Sequence, residues 1–261
     1  MIDLNKARQV FNQYVQNYNS EDGKIALKIS HTYRVMARCQ EIAESLKLSD
    51  EDVKLASLIG LLHDIGRFEQ LKRYNSFIDS QTVDHGNLGA SILFDEGLID
   101  RFDVDLKYYP LIKTAIINHN KYEIESNLDK RTYLHCQIIR DGDKVDIFKT
   151  GLIEPIEVFL GDVSKENLEN DTISDAVYQN FMAGKTVLST LRKTSLDRWV
   201  SFLALVFGLN FSYSYQYLAN HHYLERLFTK IECKNEDTKA KMDELKKYSL
   251  DFLVEKINLK K

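Results

Sequence analysis

The dipeptide His63-Asp64 closes the most apolar stretch of the chain, Val53 to Ile65, where Leu55, Ala56, Leu58, Ile59, Leu61 and Leu62 leave almost no polar face. An ionised carboxylate in such a place is costly unless it is paired or holds a metal. A second imidazole, His31, has Leu27 and Val35 four residues away on either side, which turns its ring to the interior face of a helix. The run Ile138 to Phe148 contains Asp141, Asp143 and Asp146. Four-residue spacing separates them: Asp143 lies between Ile139 and Ile147, Asp141 between Gln137 and Val145, and Asp146 between Gly142 and Thr150. Asp143 is therefore expected to face inward. His31, His63, Asp64 and Asp143, on three buried helices, form a mixed nitrogen and oxygen set suited to a borderline divalent cation such as Mn, Fe, Co, Ni or Zn.

The elements that must position these groups are helical. Eleven Gly and two Pro in 261 residues leave few places for the backbone to turn sharply. Apolar residues recur at helical spacing over 3–19 and 24–48, with Ile25, Ile29, Thr32, Met36, Cys39, Ala43 and Leu46 along one stripe. Ser49 to Asp52 supplies capping residues for the segment 53–65. Further helical patterns cover about 84–95, 104–119 and 132–150, and others follow Pro155, including the apolar stretch after Asp197 and a charged helix over about 236–258. Tyr213, Tyr215 and Tyr217 alternate at period two, a weak strand signal inside a helical region.

Composition narrows the function. Thirty-five basic against 39 acidic side chains give a net charge of −4, so a basic nucleic-acid surface is not expected. Cys39, Cys136 and Cys233 lie far apart with no C-x-x-C spacing, which argues against a disulfide framework or a thiolate zinc knuckle and fits a reducing compartment. The N-terminal residues lack a targeting core, and the longest apolar stretch, Trp199 to Phe211, is interrupted by Ser201, Gly208 and Asn210 and too short to span a bilayer. A cytoplasmic protein without membrane partners is expected. The tetrapeptide Ala183-Gly-Lys-Thr186 is not a P-loop, because Gln179 stands where the earlier glycine is required and no strand precedes it.

In order and context, His31, then His63-Asp64, then Asp143 resembles the HD-domain metal-dependent phosphohydrolase superfamily, whose pattern is H…HD…D with Lys or Arg after the last aspartate. His63-Asp-Ile-Gly-Arg67 and Asp141-Gly-Asp-Lys-Val-Asp146 look like that family's signatures. The resemblance covers about residues 25–150. It implies an all-α fold in which an HD helical core carries additional C-terminal helices, about 151–261, within a single all-helical domain. It also implies one or two divalent cations per chain, Mn, Fe, Co, Ni, Zn or Mg, bound by His31, His63, Asp64 and Asp143. His85 and His119 match by position two intervening histidines that bind a second metal in dinuclear members, with the HD aspartate bridging the pair. In mononuclear members such histidines line the pocket and contact phosphate.

The expected activity is hydrolysis of a small phosphate ester, with a nucleotide as the favoured substrate, by hydroxide generated at the metal. Asp64, His85, His119 and Glu69 are the candidate catalytic residues, the last three as sources of the proton for the leaving oxygen. Arg67 and Lys144, beside ligands, are candidate phosphate contacts with His85 and His119. His135 reads as a satisfied core histidine and His221-His222 as packing or surface. Three alternatives stay open: a dinuclear phosphodiesterase, although a GYP tripeptide and a His-Glu pair after His119 are both missing, a metal- or nucleotide-binding regulatory module without turnover, and iron-dependent oxygenation. The segment 151–261 is expected to pack on the core and shape the pocket mouth, with a homodimer left open.

Overall fold

The computed structural model describes residues 2–161 and 163–259, and every regular element among them is helical. The chain divides into two compact units, residues 1–143 and 144–261. The first unit holds α1 (Leu4–Val15), α2 (Gly23–Ser45), α3 (Asp50–Leu62), α4 (Ile65–Tyr74), α5 (His85–Ala90), α6 (Tyr109–Asn118) and the first part of α7 (Lys130–Ile153).

Local sequence explains the helix ends. Ser49 caps α3 by accepting from Asp52 N–H at 3.2 Å, and Asp50, Glu51 and Asp52 place negative charge against the positive end of the helix dipole. Every residue from Leu55 to Leu62 is buried, so this is the central helix of the unit. It stops at Leu62 rather than running through Ile65: Asp64 leaves helical geometry (φ −104°, ψ 17°), and α4 starts at the next residue. The 84–95 pattern is α5 continued by a π-helical turn, Ser91–Asp95, and the 104–119 pattern is a 3-10 turn, Leu106–Tyr108, feeding α6.

Close approaches draw the site helices together. A Cβ added to Gly66 would stand 2.3 Å from the His85 carbonyl oxygen, so only glycine lets α4 and α5 pack backbone to backbone. A Cβ added to Gly142 would stand 2.7 Å from Cys39 Sγ, so the same economy of volume seats α7 against α2 one residue before Asp143.

The second unit continues with α8 (Ile156–Leu160), α9 (Lys165–Asn170), α10 (Asp175–Met182), α11 (Ser195–Leu203), α12 (Ser212–Asn220), α13 (Tyr223–Phe228) and α14 (Glu236–Asn258). Its core is aromatic: Phe159 packs on Trp199 and Phe202, and Phe207 on Phe181 and Phe252. The tyrosine alternation at 213–217 lies within α12, so the strand signal fails; Tyr215 is buried and donates to the Leu209 carbonyl. The charged α14 presents Met242, Leu245 and Leu253 to this core along one stripe. No helix among the described residues is long and apolar enough to cross a membrane.

Candidate metal centre

Four imidazoles surround one carboxylate in the first unit. Asp64 is buried and occupies the N-cap position of α4, where aspartate is favoured because it can accept from the first turn's free N–H groups, yet its side chain makes no capping bond. It turns instead into the helix cluster. Oδ2 lies 3.5 Å from His31 Nε2, 3.5 Å from His63 Nε2 and 2.7 Å from Lys28 Nζ. Oδ1 lies 3.5 Å from His85 Nε2 and 3.7 Å from His119 Nε2. Asp143 Oδ1 closes the first side, 3.2 Å from His31 Nε2 and 3.8 Å from His63 Nε2. One carboxylate thus faces two donor groups, His31 with His63 and His85 with His119.

The tautomers follow from what each ring bonds. His63 and His119 are both C-cap residues, of α3 and α6, and each directs Nδ1 at the carbonyl three residues back, Gly60 at 2.8 Å and Ile116 at 2.6 Å. A carbonyl only accepts, so Nδ1 carries the proton and Nε2 presents a lone pair. His85 Nδ1 lies 2.5 Å from Asp79 Oδ2, which places its proton there too. The Nε2 atoms of His85 and His119 then face each other at 2.9 Å with lone pairs toward one another. Such a contact is repulsive unless a cation shares both. His63 Nε2 is likewise buried with no hydrogen bond. Donor atoms 3.2–3.8 Å apart suit ligands about 2.0–2.2 Å from a common ion, so the residues fit a bound divalent cation on each side of Asp64.

Electrostatics keep the carboxylates charged. Burial works to raise the pKa of Asp64, but Lys28, then His63 and His119, hold it well below the usual carboxylate range. Burial also opposes the charge on Asp143, which the hydrogen bond from His31 and the nearby His63 more than offset. At Asp79 the bond from His85 and the charge of Arg67 overcome burial in the same way. Burial, followed by Arg67, lowers His85 to about 4, so its imidazole is neutral at pH 7, the form that ligates metal.

The surrounding groups divide sharply. Arg67 donates through Nη1 to Gln70 Oε1, the Phe77 carbonyl and Asp79 Oδ1 at 2.7–2.8 Å, while its buried Nε, 3.7 Å from Asp64 Oδ1, makes no hydrogen bond. Glu69 does not join the cluster: its carboxylate accepts from Arg73 at 2.7 Å and Tyr18 at 3.1 Å. Burial favours its protonation, but those two partners lower its pKa, opposite to what a proton donor needs. Lys144 follows Asp143 along α7 but belongs to the second unit, its amine beside Gly208. Asp143 is not the most buried aspartate of its run: its side chain is 17 % exposed, whereas Asp141 is fully buried. An outlet to solvent is what a ligand at a reactive centre requires, and apolar flanks alone do not report it. His135, a core histidine, pairs through Nε2 with Asp52 at 3.0 Å, while its Nδ1 is buried without a hydrogen bond.

Sequence reading overlooked Lys28 and Asp79. Lys28, three residues before His31, shares its helical face, so the i,i+3 rule could have found it. Asp79 sits on a loop, where no periodicity points.

Residues 29–147 match the family model of the HD domain. This stretch is an HD domain. It contains all six of His31, His63, Asp64, His85, His119 and Asp143. HD domains bind divalent metals and are typically metal-dependent phosphohydrolases. No curated protein and no solved structure matches the chain.

Proposed function

We propose that the protein is a phosphohydrolase dependent on divalent cations, which His31, His63, Asp64 and Asp143 on one side and Asp64, His85 and His119 on the other would hold, and that it cleaves a small phosphate ester, with a nucleotide as the favoured substrate. The observation that carries this reading is Asp64 itself, a buried carboxylate that forgoes its helix cap and offers one oxygen to His31 and His63 and the other to His85 and His119. When bound, divalent cations lower the pKa of water to about 7 and draw charge from a phosphoryl oxygen. The chain's own residues do the rest. His31, His63 and Asp143 would hold a cation on one side of Asp64, and His85 and His119 one on the other. Because both His85 and His119 give their Nδ1 protons to fixed acceptors, they act as ligands rather than proton donors. Lys28 and the unpartnered Nε of Arg67 supply positive charge for the phosphate beside Asp64.

A nucleotide is favoured by Phe77. Its half-buried ring lies 5.5 Å from both the Lys28 amine and the Arg67 guanidinium, an apolar face beside the phosphate-binding charges and suited to a base. The two-sided arrangement of Asp64 also favours the dinuclear form of the family, in which diesters as well as monoesters are substrates to test.

The experiment is elemental analysis of the purified protein followed by turnover of a panel of nucleoside mono-, di- and triphosphates, cyclic nucleotides and glycerol phosphate with Mn, Co or Ni. Two equivalents of metal and release of phosphate or a nucleotide product are expected. Retention of a nucleotide without turnover under every metal would replace the enzyme with a binding module, and oxygen consumption with iron would replace hydrolysis with oxygenation.

A further inference from the structure

Asp79 lies outside the ligand set, in the short 3-10 turn Asp79–Gln81 between α4 and α5. Its two oxygens are divided between the two kinds of group the centre needs. Oδ2 accepts from His85 Nδ1 at 2.5 Å, and Oδ1 accepts from Arg67 Nη1 at 2.8 Å. Gln70, fully buried on α4, donates to Asp79 Oδ1 at 3.0 Å and pins the same loop through Thr82 Oγ1 at 2.8 Å and the Val83 carbonyl at 3.0 Å. Arg67 secures the loop's other end at the Phe77 carbonyl.

The three ligands with assigned tautomers differ in what fixes them. His63 and His119 bond carbonyls of their own helices, which the backbone positions. His85 depends on a side chain. Its Nδ1 has one other neighbour, the Asn120 amide nitrogen at 3.3 Å, which is a donor. Without the Asp79 acceptor, Asn120 favours the alternative tautomer, with the proton on Nε2. That proton would bond to His119 Nε2, 2.9 Å away, and the two-lone-pair face would be lost.

We propose that Asp79 is the positioning residue that locks His85 in its ligating tautomer and aims Arg67, so that filling of the Asp64–His85–His119 side of the centre depends on it. This rests on the two-cation reading above. Carboxylate partners of metal-ligating histidines act in this way in general, and their loss weakens metal binding by about 10–100-fold.

The test is Asp79→Asn, which keeps the shape but gives the loop one oxygen in place of two, with Asp79→Glu as the conservative rescue. Helicity and melting temperature of the metal-free proteins report folding. Mn titration of the wild type should fill two equivalents, and Asp79→Asn should keep one with unchanged affinity while the other weakens at least tenfold; Asp79→Glu should recover part of that loss. Imidazole nitrogen NMR of the metal-free proteins should find the His85 proton on Nδ1 in the wild type and on Nε2 in Asp79→Asn. A folded Asp79→Asn protein that binds two equivalents like the wild type, or whose His85 proton stays on Nδ1, overturns the assignment. If the wild type binds a single equivalent, the two-cation reading falls, and the tautomer measurement alone decides the role of Asp79.

Discussion

Two buried aspartates, one in each unit, stand at the start of helices and serve opposite ends. Asp197, in the first turn of α11, spends its carboxylate on the backbone: Oδ1 accepts from Ser174 N–H at 2.9 Å, and Oδ2 from Lys193 and Thr194 N–H at 2.8 and 3.2 Å. With Thr194 it completes a capping box, and its neighbours Leu196, Trp199 and Val200 belong to the apolar core. Asp64, at the start of α4, accepts from no backbone N–H of that helix and faces the Nε2 atoms of four imidazoles. Burial is the same in both places; satisfaction is not. A buried polar group whose bonds are complete stabilises the fold, whereas one whose surroundings are complete only with a bound cation marks a functional centre.

That contrast breaks most visibly at Asp64. Asp64→Ala should release both cations and reduce hydrolysis to the rate of the metal-free protein, with the helical circular dichroism retained because the surrounding core is apolar and already formed; metal analysis and a phosphate-release assay check it. Asp197→Ala should do the reverse, costing about 3 kcal/mol as three partly buried backbone N–H donors lose their acceptor. Denaturation followed through Trp199, the one tryptophan of the chain, reads this loss, and the metal content should stay at the wild-type value. A smaller effect is expected at Lys28. Lys28→Met should raise KM about tenfold, some 1.4 kcal/mol, with a lesser change in kcat, because it removes a substrate charge and no ligand; steady-state kinetics on the best nucleotide decide it.

The smallest expected effect concerns the pair His135–Asp52, a buried imidazole whose Nε2 bonds a partly exposed carboxylate outside the metal centre. Burial first, against the opposing bond to Asp52, lowers the pKa of His135, so the unfolded chain binds the proton more readily than the folded one. Its contribution is intact above the unfolded value of about 6.5 and declines as pH falls below it. Asp52, whose pKa is lowered by His135 and Arg131 despite burial, adds a loss of the same sign at more acid pH. Melting temperatures in chelator at pH 8 and pH 5.5 should fall less for His135→Gln than for the wild type. Equal drops in the two proteins would remove His135 as a source.

Much of this was written in residue types. The stripe from Ile25 to Leu46, the uniformly apolar run before His63, and the capping residues at 49–52 specify helices through local periodicity and hydrogen bonding, which need no partner to be read. The donor identities at 31, 63, 64 and 143 are likewise local facts, since imidazole and carboxylate chemistry travels with the residue. The helix break at His63-Asp64 was not legible, because hydrophobicity continues through Ile65 while the backbone departs to aim the carboxylate at groups far away in sequence. Glu69 carried the right chemistry for a proton donor, but its direction on α4 was set by Tyr18, in the bend after α1, and by Arg73.

Sequence alone determined an all-helical chain with a metal-ligand pattern between His31 and Asp143. Tertiary structure decided which oxygen faces which imidazole, which ring nitrogen carries the proton, and that a loop aspartate at position 79 holds both a ligand and a guanidinium. The reason is physical: helix formation and ligand type depend on near neighbours along the chain, whereas coordination depends on distances of a few ångströms between atoms that only the packing of separate helices brings together.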